Sequence, residues 1–222
     1  MFQEGTLLKR YRVPPEEIEA KSFEIIDGLI PTSRYTSEEL QIVKRVVHTT
    51  GDPSIVDHLR IHPRAIASGL AAIRGGSRLF TDVKMAAAGV NRQLASRFGC
   101  EVVCLIDHPE VAEEAKRQSL TRAAAGVEHF SRQIGGAVVA IGNAPTALFA
   151  LLDLVDRGCP PPALVIGVPV GFVGAAEAKQ ELVDRDLSSI TVEGTRGGSA
   201  IAVAIVNALL KIAAAGNEVA PV

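Results

Sequence analysis

The sequence contains no tryptophan and only two tyrosines among its 222 residues. Few rings are therefore available to stack on a flavin or a base, which counts against a flavin- or nucleotide-binding module. Cysteine is scarce too: Cys100, Cys104 and Cys159 make up neither a disulfide framework nor a metal-type spacing. They read as reduced thiols of a cytoplasmic protein, two of them in a core strand. Positive charge is not in excess. The formal net charge is −2, so no basic field points to nucleic acid, and an acidic ligand must be met by local lysines and arginines.

Other absences narrow the classes further. No linker-like tract or internal repeat divides the chain, so residues 1–222 read as one domain. Met1–Arg12 carries Lys9, Arg10 and Arg12 but no long apolar core, so no secretory signal is evident. The most apolar span, Ala137–Val155, is broken by Gly142, Asn143 and Pro145, which suits strand–turn–helix rather than a membrane helix. Neither a G-x-G-x-x-G nor a G-x-x-x-x-G-K-[ST] motif is present. What remains is an ordinary globular composition, 47% hydrophobic and 22% charged.

The first part, residues 1–76, reads as mostly helical with no clear strand. Pro14-Pro15-Glu16-Glu17 suits a helix start, and Ile18, Ser22, Ile25 and Leu29 share one stripe at helical spacing. Ser22 is either a small residue for close packing or a hydroxyl aimed at a ligand. A second helix from Ser37 places Leu40, Val43 and Val47 on an apolar face and Gln41, Arg45 and His48 on a polar one. His48 ends it, before Thr49-Thr50-Gly51-Asp52. A helix C-terminus favours a protonated imidazole, and so does Asp52 if it folds back. His48 is then either a solvated terminal histidine or a proton donor near neutral pH. His58 and His62 lack a third ligand, so no metal is expected. A third helix spans Pro63–Arg74.

From residue 77 to 222 strand and helix alternate. Strands are expected at Arg78–Val83, Glu101–Ile106, Ala137–Ile141, Leu164–Val168 and Ser189–Val192. Helices are expected at Met85–Phe98, Pro109–Gln118 and Thr121–Gln133, then Pro145–Arg157, Ala175–Arg185 and Ser199–Ala215. This is a three-layer α/β/α pattern: a flavodoxin-like, parallel five-stranded sheet, order 2-1-3-4-5, with an N-terminal helical extension. In that order ligands sit beyond the strand C-termini, where Asp82, Gly142-Asn143 and the run Val168-Pro169-Val170-Gly171-Phe172 converge. Gly142 and Asn143 allow a sharp turn, Asn143 is a good N-cap, and Pro145 suits a first helical turn. Gly194-Thr195-Arg196-Gly197-Gly198-Ser199 is either a flexible turn capped by Ser199 or a backbone cradle for a carboxylate or phosphate.

Taken together, Ile18–Ile26 (IEAKSFEII), Arg45–Asp52 (RVVHTTGD), Thr81–Gly89 (TDVKMAAAG), Thr121-Arg122, Ile141–Leu148 (IGNAPTAL), Ile166–Ala175 (IGVPVGFVGA) and Gly197–Ser199 resemble the precorrin-8X methylmutases over nearly the whole chain. Two positions depart from the family's usual pattern: Ala178 stands where a serine is usual, and Thr195-Arg196 replaces a run with one more basic group. The resemblance implies an isomerase of cobalamin biosynthesis that moves a methyl group from C11 to C12 of the tetrapyrrole, giving hydrogenobyrinate, or cobyrinate on the cobalt route. It implies no separate cofactor, a homodimer with substrate near the interface, and product hand-off to the next enzyme. His48 is the implied acid/base, with Ser22 and Arg45 as substrate contacts. Thr49, Asp82, Met85, Thr121, Arg122, Gly142, Asn143, Thr146, Gly171, Arg196 and Ser199 complete the expected binding set. A non-catalytic tetrapyrrole carrier on the same scaffold is the alternative.

Overall fold

The computed structural model describes residues 13–216; Met1–Arg12, where no secretory signal was read, lies outside them. Helix α1 (Pro15–Asp27) leads through a 3-10 turn to α2 (Ser37–Thr50), and a second 3-10 turn, Pro53–Asp57, precedes β1 (Leu59–Ile61) and α3 (Ala65–Arg74). Then come β2 (Leu79–Thr81), the short helices α4 (Lys84–Gly89) and α5 (Arg92–Arg97), and β3 (Val102–Cys104). A helical hairpin follows, α6 (Pro109–Gln118) and α7 (Arg122–His129), with one turn of helix, α8 (Ser131–Ile134), before β4 (Val138–Ile141) and α9 (Pro145–Asp156). The chain closes with β5 (Leu164–Gly167), α10 (Ala175–Val183), β6 (Ser189–Val192) and α11 (Ser199–Ala215).

The sheet order is β1-β6-β5-β4-β2-β3. Its five parallel strands keep the expected 2-1-3-4-5 order, with registers such as Thr81 opposite both Cys104 and Ala140, and Ile166 opposite Ile190. The expectation of five strands was one short. Leu59–Ile61 adds a sixth, antiparallel to β6, with Arg60 opposite Thr191. Three residues between His58 and His62 are too few to show a period-2 pattern.

Alternation along the buried strands divides the core. Val138, Ala140, Leu164 and Ile166 pack with α2, α3 and α11 on one face; Val139, Ile141 and Val165 pack with α7, α9 and α10 on the other. This is the three-layer arrangement that the alternating pattern implies. Two expected long helices are broken. Met85–Phe98 splits into α4 and α5 because Asn91 caps the second, its side chain accepting from the Leu94 N–H at 3.0 Å. Thr121–Gln133 splits at Phe130 into α7 and α8.

The stripe on α1 does not face the core. Ile26 is buried, whereas Ile18, Ile25 and Leu29 are 50–60% exposed. By contrast α11, apolar nearly all round, is consumed by this chain's own core, packed against α2, α3, α4 and the sheet.

Candidate active site

Helix α2 starts with a capping box, Thr36 accepting from the Glu39 N–H and Glu39 from that of Thr36. It stops at Gly51, whose φ of +66° is the left-handed conformation that glycine adopts without strain. His48 and Thr49 thus project from the last turn and are exposed. Arg45, Val46 and Val47 anchor that turn from the same helix, the two valines being buried.

His48 lies where two hollows meet. The first, about 350 Å³, is walled by Arg45, His48 and Thr49 from α2, and by Ala200, Val203 and Lys211 from α11. The second, about 230 Å³, lies between Ser22 and Ile25 of α1, with Leu29 just beyond that helix, and Val47, His48 and Pro53. The structure therefore brings Ser22, Arg45, His48 and Thr49 together from three of the expected motif positions and their neighbour. The Phe23 ring stands edge-on to His48, with centroids 5.8 Å apart, and fixes the imidazole's inner side. Arg45 stacks its guanidinium over the same Phe23, 4.7 Å from the ring centre, and forks onto both oxygens of Glu19. Lys211 reaches Glu19 as well.

Hydrogen bonding to Arg45 holds the Glu19 carboxyl down at about 2 against an ordinary 4.5. A folded value below the unfolded one means that the pair's contribution is present above about pH 4.5 and lost as pH falls towards about 2. Glu19 is half exposed, so solvent limits the contribution to less than about 1 kcal/mol. The expected outcome is that wild type exceeds Glu19→Gln in urea stability at neutral pH and that the gap closes through that window. A gap that stays constant with pH contradicts the pairing.

The second group of expected residues sits at the C-terminal edge of the sheet. Asp82, fully buried at the end of β2, accepts from the backbone N–H groups of Gly142 (3.1 Å), Asn143 (2.7 Å) and Ala144 (2.8 Å). Asp82, and not Asn143, is thus what satisfies the start of α9, from 62 residues away. Burial pushes its carboxyl up, and the three N–H donors oppose the rise. A side chain so enclosed holds the turn and does not reach a ligand. Gly142 is explained by close approach: a Cβ there would stand 2.6 Å from the Ser199 Cα. Ser199 itself is the first residue of α11 and is buried, with Gly198 at the cap position. Its neighbour Ala200 lines the His48 cleft, so the start of α11 joins the two groups.

On the outside of this edge, Thr121 caps α7 and pairs its hydroxyl with that of Thr146 at 2.7 Å. Arg122, Asn143 and Thr146 are exposed, and Met85 is 74% exposed. Gly171 donates its N–H to the Thr195 carbonyl, lacing its loop to the glycine-rich run before α11. Arg196 pairs with Asp52 at 2.9 Å and with the Ser54 hydroxyl at 3.1 Å. Asp52 therefore does not fold back on His48: it accepts from Ser54 and Arg196, which hold its carboxyl below the usual range. His62 spends both ring nitrogens, on Asp186 and on the Arg64 N–H.

Sequence reasoning missed Glu19, Asn91, Asn207 and Lys211. Asn207 and Lys211 carried a signal, as two polar residues one turn apart in an apolar helix. Asn207 bridges the Asn91 N–H and the Gly89 carbonyl, closing α4 beside the cleft. Lys179 was missed as well. It is fully buried, donates to the Arg196 carbonyl, and is pushed down to about 8 by burial. Its part is to hold the loop before α11.

Comparisons with known proteins agree with this architecture. The family model described as precorrin-8X methylmutase matches residues 17–212. The chain is 41% identical over 211 residues to a cobalt-precorrin-8 methylmutase of Priestia megaterium, covering 95% of this chain and 94% of that one. It is 44% identical over 171 residues to a precorrin-8X methylmutase of Pseudomonas aeruginosa, covering 76% and 82%. The crystal structure of a precorrin-8X methylmutase from Thermus thermophilus superimposes with a TM-score of 0.82 at 39% identity, covering 90% of this chain and 98% of that one. By sequence and by fold, the chain belongs to the precorrin-8X methylmutase family.

Proposed function

We propose that the chain isomerises precorrin-8X or its cobalt-loaded form, moving a methyl group from C11 to C12 of the macrocycle, with His48 as the acid/base. The observation that carries this reading is the exposed imidazole at the junction of two hollows, fixed from behind by Phe23. A methyl shift around a conjugated ring needs no nucleophile. It needs the right tautomer and a held ring, and imidazole exchanges a proton near neutral pH. Arg45, Lys211 and Thr49 in the cleft, and Arg122 with Thr121 and Thr146 along the sheet edge, are suited to the peripheral carboxylates. Ser22 offers a hydroxyl from the opposite wall. The free thiols and an architecture without a membrane-length helix among the described residues fit a cytoplasmic enzyme.

The two hollows are shallow for a macrocycle, and the apolar stripe of α1 beside them is uncovered. A second copy laid over Ile18, Ile25 and Leu29 would bury that stripe and deepen the groove at Ser22. Sedimentation equilibrium is expected to give a dimer mass, and charged substitutions at Ile25 and Leu29 to dissociate it. A concentration-independent monomer refutes the dimer. The reaction itself is tested by mixing the protein with precorrin-8X and with cobalt-precorrin-8 separately and following absorbance. Conversion of either supports the enzyme. Tight binding of both with an unchanged ring supports the carrier.

A further inference from the structure

We propose a divalent transition-metal site, formed by His108, Glu110 and His129, outside the His48 cleft. His108 stands at the N-cap position of α6, Glu110 in its first turn, and His129 ends α7. One donor atom from each lies within 4.8 Å of the other two. Metal–nitrogen bonds of about 2.0–2.1 Å place neighbouring donors roughly 3.3 Å apart, so closure asks for a shift of about 1.5 Å at most. Glu110 is exposed, and its flexible side chain can supply most of that shift.

Three further features favour a metal over a chance grouping. The first is the state of His108: its Nδ1 is buried and has no hydrogen-bond partner. Among the described residues it is the one buried side-chain polar atom so left, and such orphans ask for an explanation, an ion being one. The second is the outer support of His129. Its Nδ1 sits 3.2 Å from the Glu114 carboxylate, which orients the ring and leaves Nε2 as the ligand, the arrangement seen behind metal-bound histidines generally. The third is the packing. The two imidazoles pack with centroids 4.3 Å apart and planes tilted by 34°, and Phe130 stands edge-on to both, so the rings are held before any ion arrives. Two imidazoles and one carboxylate suit zinc, cobalt(II) or nickel, and a three-ligand set leaves a position for water.

The ion would clip the open end of the α6–α7 hairpin. The closed end is the Ser119–Thr121 turn, beside Arg122 at the sheet edge. Metal binding would thus stiffen the element that presents Arg122, in addition to stabilising the fold.

The test uses untagged, chelator-treated full-length protein titrated with zinc(II) by calorimetry. One ion per chain is expected, with a micromolar or tighter Kd. Glu110→Gln, His108→Ala and His129→Ala should each weaken binding at least tenfold, and Glu114→Gln by about 10–100-fold. At a hundredfold excess over Kd, zinc should raise the melting temperature of wild type by about 5–10 °C. Glu110→Gln alters an exposed side chain, so it reports even if a histidine variant fails to fold. No saturable binding, or binding that Glu110→Gln and Glu114→Gln leave unchanged, overturns the site.

Discussion

Replacing Asp82 by alanine is expected to destabilise the fold by about 3–5 kcal/mol, because three backbone N–H groups lose one buried carboxylate together. The carboxylate accepts from Gly142, Asn143 and Ala144. Ala144, at the cap position of α9, has no side-chain oxygen of its own to offer. Nothing local replaces Asp82, and the Gly142 N–H is buried, so water cannot fully compensate. The negative charge also sits at the positive end of a twelve-residue helix. Asp82→Asn keeps the volume and one acceptor oxygen, and should fall between alanine and wild type. Urea denaturation of the three proteins is the measurement. An alanine variant within about 1 kcal/mol of wild type would mean that the turn finds its partners elsewhere.

Much of this architecture was legible in the sequence, and the reasons are physical. Strands buried on both faces read as short, near-continuous apolar runs, so Val138–Ile141 and Leu164–Gly167 announce themselves. Alternation with helices implies a parallel sheet, and the five strands fit the flavodoxin-like order that the structure has. Strand β1 carried no such signal, because three residues paired on one edge need no pattern. The stripe of α1 was legible as a stripe, but which side it faces was not. Periodicity shows that a helix has an apolar face, and not whether this chain or another surface covers it.

The site was legible to a different degree. Residues of one helix, such as Arg45, His48 and Thr49, share a face by spacing alone. Partners distant in sequence do not. The Glu19 fork on Arg45, the Asp52–Arg196 pair and the Asp82 cap span 26, 144 and 60 or more positions. Asp82 was placed correctly at the switch point, yet its role was invisible without the fold: a carboxylate at a strand end serves a ligand or a turn according to its burial. Lys179 escaped because nothing in Glu177-Ala178-Lys179 tells a buried lysine from a solvated one.

The largest expected effect on activity comes from His48. Removing a positioned acid/base typically slows a proton-dependent step by about two to four orders of magnitude. His48 is exposed on α2, and its neighbours Val46 and Val47 carry the packing of that turn, so His48→Ala should fold. Arg45 keeps its seat on Phe23 and Glu19 in that variant, and Thr49 and Lys211 are untouched, so the proposed grip on the substrate's carboxylates is expected to survive. The most direct measurement is single-turnover conversion of precorrin-8X followed by absorbance, with affinity for the corrinoid measured on the same preparation of His48→Ala. The account predicts near-wild-type affinity with conversion slowed by about 10²–10⁴-fold. Conversion at the wild-type rate, or affinity lost in step with activity, would contradict it.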